Sequence, residues 1–226
     1  MKGSWRKGIA AAMAAVMAIP ASWGMTGTEV VRAEETEIEP DYELDFEGET
    51  YDGLKGTAKV EQCDVTIDGK KYSAEGNHVL TLSGGAKGSS YMELPSDLYT
   101  GVSADTGFTY SFWMKSAEDV VSYSRLLSSA DSTGGDEFAY APYASDQVWN
   151  VIFDSTNVYR TVYEKEPQKN IWNYITFTVS AGEIVLYVNG EKVNSSTTVG
   201  GEDELRARLN TMESLTVNAL GKTCSG

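Results

Sequence analysis

The sequence predicts an all-β fold, an antiparallel two-sheet jelly-roll sandwich, preceded by a signal-peptide helix. Three observations carry this. From residue 41 onward, apolar residues recur with a period of two rather than 3.6. The dipeptides Asp68-Gly69 and Asn189-Gly190 separate such runs, and two-residue hairpin turns of this kind need positive φ at both positions. Within the domain only residues 202–209 read as a helix, about two turns long. Short, closely spaced strands with so little helix stack as two sheets.

The N-terminus is read separately. Lys2, Arg6 and Lys7 precede an alanine-rich apolar run over residues 9–19, which Pro20 ends. That run is too short to cross a hydrocarbon core of about 30 Å as a helix. A positive start, an apolar stretch and the small-residue exit Val31-Arg32-Ala33 form a secretory signal peptide, residues 1–33, cleaved after Ala33. A cut after Gly24 and a buried N-terminal helix are the alternatives. Residues 34–40 are a charged linker with no packing face. Residues 41–226 form the domain, exported to the extracellular space or cell surface.

The strands follow in order. Tyr42, Leu44 and Phe46 alternate with Glu43, Asp45 and Glu47, a half-buried strand with one acidic face. Residues 60–67 and 70–72 flank Asp68-Gly69. Short strands are predicted over 78–82 and 90–94, the latter ended by Pro95. In 108–115, Phe108, Tyr110, Phe112 and Met114 share one face. Further strands are expected over 125–129, 148–153 and 157–163. Residues 172–179 are rich in aromatic and β-branched residues. Residues 183–188 turn at Asn189-Gly190 into 191–193, and 215–220 is the last strand. No internal repeat is visible.

Charge narrows the partners. The chain has 18 basic and 33 acidic residues, a formal charge of −15. Residues 1–33 hold four of the basic and one of the acidic residues, which leaves 14 against 32, or −18, for residues 34–226. Such a domain repels phosphate backbones and anionic membrane surfaces, which argues against nucleic acid as a partner. No second apolar run is long enough for membrane insertion. Neutral glycans, cations and basic proteins remain. The two cysteines, Cys63 and Cys224, are a candidate disulfide because export permits one; two free thiols are the alternative. The single histidine, His78, and the lack of a C-x-x-C pair exclude a zinc-type cluster.

Four segments give the domain a family resemblance: Leu44-Asp45-Phe46-Glu47-Gly48, residues 90–95, residues 108–115 with their tryptophan, and the hairpin from Trp172 through Asn189-Gly190. Together they resemble the concanavalin A-like lectin and glucanase jelly rolls, and among them the bacterial laminin-G-like (LamG) domains. The likeness covers roughly residues 41–226. Members of that family usually add a final strand with consecutive acidic residues and a basic-aromatic segment. The expectation is therefore a fragment of a longer product, with a catalytic domain downstream. The alternative is a sandwich without a final strand and with an exposed sheet edge.

The resemblance also implies candidate sites. Glu43-x-Asp45-x-Glu47 has the spacing that retaining glycosidases of the laminarinase and lichenase type use on this fold, with Glu43 as nucleophile, Asp45 tuning protonation and Glu47 as acid/base. Its place at the start of the domain, without a preceding tryptophan, argues for a solvated acidic face. Lectin-like jelly rolls often bind calcium near their first and last strands, and Asp45, Glu47 and the Gly48 carbonyl offer the oxygen ligands calcium takes. The stretch 138–163 is dense in aromatics. Phe153 is assigned to the core. Tyr140, Tyr143, Trp149 and Tyr159 are assigned to a sugar-stacking surface, with Asp146, Gln147, Asn150 and Asp154 to bind hydroxyls. Trp113 and Trp172, inside the strongest strands, are assigned structural roles.

The leading functional expectation is a secreted module that binds a polysaccharide or oligosaccharide, an accessory to a glycoside hydrolase rather than an enzyme itself. A glycosidase using Glu43, Asp45 and Glu47, and a protein-binding adhesion module, are the alternatives, since fold alone does not choose.

Overall fold

The computed structural model describes residues 40–46, 51–67, 69–72, 77–83, 89–120, 124–134, 137–143, 148–153, 168–196 and 202–224. The signal segment 1–33, most of the linker 34–40, Glu47 and the strand expected over 157–163 lie outside them. The described strands are β1 (Leu54–Gly56), β2 (Lys59–Gln62), β3 (Val65–Ile67), β4 (Lys70–Tyr72), β5 (His78–Thr81), β6 (Ser90–Leu94) and β7 (Phe108–Met114). They continue with β8 (Leu127–Ala130), β9 (Glu137–Tyr143), β10 (Val148–Phe153), β11 (Asn173–Val179), β12 (Ile184–Val188), β13 (Glu191–Ser196) and β14 (Val217–Leu220). One helix, α1 (Glu202–Leu209), and a 3₁₀ turn (Met212–Ser214) precede β14.

The fold is the expected all-β jelly roll. A six-stranded antiparallel sheet runs β1-β6-β14-β8-β9-β10, and a four-stranded antiparallel sheet runs β13-β12-β11-β7. The small pairs β2–β5 and β3–β4 stand apart from both. The last strand, β14, inserts between β6 and β8, so residues over 120 positions apart become neighbours.

The alternation seen in the sequence sets the two layers. In β7 the residues with odd offset from Phe108 face solvent, and Phe108, Tyr110, Phe112 and Met114 turn inward. In β11, Asn173, Ile175, Phe177 and Val179 are buried and Tyr174, Thr176 and Thr178 are less so. These inner faces meet Phe138 and Tyr140 of β9. Phe112 lies edge-on to Tyr140 at 5.6 Å, and Tyr140 stacks on Phe177 at 5.3 Å. Such pairs add to the area they bury. A short polar row runs through this core: the Tyr110 hydroxyl donates to Tyr99 Oη at 3.1 Å, and Tyr99 Oη shares a 2.7 Å hydrogen bond with Ser129 Oγ. Burial pushes both phenols above their ordinary range, and that of Tyr42 up to about 12.

Local signals explain the boundaries. Asn189 (φ 52°) and Gly190 (φ 83°) make the β12–β13 hairpin turn that the dipeptide predicts. Gly107 (φ 62°) admits the chain to β7, where a Cβ would lie 2.4 Å from the Val179 carbonyl oxygen. Helix α1 begins with Glu202, Asp203 and Glu204 and ends with Arg206 and Arg208, charges that complement its dipole. It buries Leu205 and Leu209. None of the described helices is long and apolar enough to cross a membrane.

Four expectations change. The first strand does not form over the described residues 42–46. Tyr42, Leu44 and Phe46 are still more buried than Glu43 and Asp45, but Phe46 adopts φ 59°, which leaves the extended region. Residues 60–67 divide into β2 and β3 at Cys63-Asp64. Strands β1 and β9 were not expected: Leu-Lys-Gly is short, and the alanines and proline of Glu-Phe-Ala-Tyr-Ala-Pro-Tyr weaken its strand signal. Finally, Cys63 and Cys224 are both free rather than bridged. Cys63 joins β2 to β3, whereas Cys224 donates from Sγ to the Ser128 carbonyl oxygen at 3.3 Å beyond β14. Burial raises the Cys224 thiol pKa.

Candidate functional site

The solvent side of the four-stranded sheet carries the most distinctive surface. Because Phe112 and Met114 turn inward, Trp113 must point out, and it is 46% exposed. The β7–β11 register sets Trp113 opposite Tyr174, Ser111 opposite Thr176, and Thr109 opposite Thr178. The Trp113 and Tyr174 rings lie 5.0 Å apart between centroids, tilted by 41°. Ser111 Oγ and Thr176 Oγ1 are 3.0 Å apart and hydrogen-bonded. On the next strand, Tyr187 lies beside Thr176. The face thus offers two aromatic rings at one end and a ladder of hydroxyls along the rest.

The platform is held firmly. Asn189 N–H donates to the Tyr174 carbonyl oxygen at 2.7 Å, and its side-chain Oδ1 accepts from Tyr174 N–H at 2.8 Å. The hairpin turn therefore fixes the backbone under the ring. The loop before β11 is tied down by Asn173, whose Nδ2 donates to the carbonyls of Gln168 and Ile171. Asn170 N–H donates to the Ser116 carbonyl oxygen, joining this loop to the end of β7.

The opposite surface, the outer side of the six-stranded sheet, is built differently. Ser128, Ala130, Ala139 and Ala141 are buried there. Beside them Glu137 Oε1 accepts from Arg125 Nε at 3.2 Å and from Ser128 Oγ at 3.3 Å. Ser128 Oγ accepts the Cys224 N–H at 2.9 Å. The side chains of this ion pair are 16% and 2% exposed, so it is largely removed from water.

The sequence-assigned residues fare unevenly. Tyr140 is not a surface platform: it is fully buried, because the β9 alternation that sends Ala139 and Ala141 outward sends Tyr140 into the core. Tyr143 and Trp149 lie on the backbones of β9 and β10, and their side chains, like that of Phe153, fall outside the described residues. Tyr159 lies outside them altogether. Glu43 and Asp45 are exposed on a segment that is not a strand, and the Tyr51 hydroxyl donates to Asp45 Oδ1 at 3.4 Å. Among the described residues, no group of three or more His, Cys, Asp or Glu side chains could hold a metal, so of the expected calcium ligands the described part contributes Asp45. Trp113, given a structural role because it lies within a strong strand, is exposed on the outer face of that strand. The signal was present, since four inward apolar residues at even spacing leave an odd-numbered tryptophan facing water.

Comparison with known proteins places the fold. The model of the Laminin_G_3 family, in the concanavalin A-like lectin/glucanases superfamily, matches residues 85–213, more than half of the chain. The chain belongs to this family. The matched residues include β7, β11, β12 and their hairpin, so the Trp113–Tyr174 face is part of the Laminin_G_3 sandwich. Among solved structures, domain 4 of AbnA, a GH43 extracellular arabinanase from Geobacillus stearothermophilus, in complex with arabinotriose, is similar at 19% identity with a TM-score of 0.50. The match covers 74% of this chain and 73% of that one. No curated protein matches the chain.

Proposed function

We propose that this Laminin_G_3 chain is a secreted glycan-binding module, an accessory to a larger carbohydrate-active protein rather than a catalyst. The observation that carries the reading is Trp113, half exposed on a rigid sheet beside Tyr174 and a run of serine and threonine hydroxyls. Sugar rings offer C–H groups that pack on aromatic faces and hydroxyls that exchange hydrogen bonds with Ser and Thr. A ligand site of this type needs few moving parts, and the Asn189 turn supplies the preorganisation. The likeness to an arabinanase domain solved with arabinotriose supports the choice of ligand class, and the basic-apolar-small pattern of residues 1–33 supports export.

Affinity electrophoresis of the full chain through gels containing soluble polysaccharides, with a reducing-sugar assay alongside, tests this. The expected result is retardation without sugar release. Release of reducing sugar abolished by Glu43→Gln would replace the module with a glycosidase. Retention on a protein ligand that survives Trp113→Ala and weakens with salt would favour an adhesion role.

A further inference from the structure

Resting on that reading, we infer that the Trp113–Tyr174 face selects single, soluble, neutral glycan chains over crystalline glycan surfaces and over anionic polysaccharides, and that the bound chain runs along β7 and β11. The shape of the aromatic pair decides the first point. A crystalline glycan presents coplanar sugar faces, which coplanar rings would match. Here the two rings meet at 41° with centroids 5.0 Å apart. Rings tilted in this way make a crease rather than one flat face, so the pair does not match such a plane.

The direction follows from the register. From the crease, Ser111 with Thr176 and then Thr109 with Thr178 continue along the same two strands. Four residues of strand span about 13 Å, the length of a short oligosaccharide. The two strands that carry the stripe lie about 5 Å apart, and Tyr187 of β12 borders it beside Thr176. Successive sugars would lie over the hydroxyl rows, with Ser111 Oγ and Thr176 Oγ1 already paired at 3.0 Å and each able to take a further hydrogen bond.

Charge decides the preference for neutral chains. The stripe holds no Asp, Glu, His, Lys or Arg side chain. Lys192, opposite Tyr187 at the far side, has Glu183 4.0 Å away. Lys115, next in the alternation beyond Trp113, adds one exposed cation at that end. It sits on a domain whose residues 34–226 total −18, and a uronate chain longer than a Debye length of about 8 Å meets that field.

The test uses the full chain and four probes: debranched arabinan and arabinoxylan as soluble neutral chains, polygalacturonate as the anionic one, and microcrystalline cellulose as the flat surface. Calorimetry or affinity gels read the first three and depletion from solution reads the last. The expected result is binding to a neutral soluble chain that weakens about tenfold or more in Trp113→Ala, with Trp113→Phe retaining most of it. Adsorption to cellulose as strong as to the soluble chains, or tighter binding to polygalacturonate, overturns the inference. So does neutral-chain affinity unchanged in Trp113→Ala, which would leave glycan binding intact but move it elsewhere on the molecule. Absence of binding to every neutral chain defeats the proposed function itself. If Trp113→Ala lowers the melting temperature sharply, the pair Ser111→Ala and Thr176→Val carries the same test, with a several-fold loss expected and an unchanged affinity counting against the stripe.

Discussion

The two outward sheet surfaces of this sandwich are made from opposite materials. On the six-stranded sheet, Ser128, Ala130, Ala139 and Ala141 are small and buried, and the charges beside them, Arg125 and Glu137, are paired and largely removed from water. On the four-stranded sheet, the corresponding rows hold Trp113, Tyr174, Ser111 and Thr176, and Trp113 meets solvent. The first surface shows how strand alternation can close a second packing layer. The second shows an aromatic residue kept at the surface of a rigid strand whose other face supplies the core. On the proposed function, stability and recognition are carried by neighbouring residues of the same strands, one facing in and the next facing out, and they should respond to different substitutions.

The largest expected effect lies on the inward side. Phe177 touches the rings of Tyr110, Phe112, Phe138 and Tyr140 at 5.3–6.3 Å. Phe177→Ala should cost about 3–5 kcal/mol, read as a lower denaturant midpoint with an unchanged slope. A cost below about 1 kcal/mol would mean that the two sheets do not meet there. Next comes the ion pair on the outer side of the six-stranded sheet. Glu137→Ala removes the buried carboxylate that pairs with Arg125 and should cost about 3 kcal/mol. Replacing both partners with methionine should cost clearly less. A double-mutant cycle reads the coupling, and additivity of the two single changes would return this surface to the ordinary solvated kind.

A smaller, pH-dependent effect comes from the buried phenols. Tyr99 and Tyr110 are held above the usual tyrosine range by desolvation, and Tyr42 is pushed up to about 12 by burial. The unfolded chain releases these protons near its ordinary pKa of about 10 while the folded chain keeps them. Their contribution is thus fully present below about pH 10 and declines as the pH rises toward 12. Denaturant midpoints across that window should fall, and phenolate absorbance of the buried rings should rise together with unfolding. Tyr110→Phe should flatten the decline, at a cost of about 1 kcal/mol at neutral pH for the lost hydrogen bond to Tyr99.

How much of this was legible beforehand varies with the kind of signal. Period-two patterning and turn chemistry placed β6, β10, β12 and the Asn189-Gly190 hairpin, because those signals are local. Strand β9 was missed because its Ala-Tyr-Ala-Pro run has low intrinsic strand preference, and its strand state comes from β8 and β10 on either side. The same non-local cause hid the fate of Tyr140. An aromatic-dense stretch indicates that rings are present, but which ring turns inward depends on the phase of the pairing, and a shift of one residue exchanges the faces. Trp113 shows the converse. Its phase could be read from Phe108, Tyr110, Phe112 and Met114, so its exposure followed from the sequence once each strand position was assigned to a face. What the sequence could not supply was the partner across the strand, Tyr174, some 60 positions away.

The smallest effect on stability should come from the residue expected to matter most for binding. Trp113 shares its ring with Tyr174 and with water, so Trp113→Ala forfeits one aromatic pair and part of a burial, under about 1 kcal/mol. Tyr140→Ala, by contrast, empties a fully buried ring site and should cost about 3–5 kcal/mol. Measured side by side, the two variants separate the surfaces. A Trp113→Ala chain that melts near the parent yet loses glycan retention about tenfold assigns the outward ring to recognition. A Trp113→Ala chain as destabilised as Tyr140→Ala would show that the outward ring is part of the packing, and the contrast between the two faces of β7 would disappear.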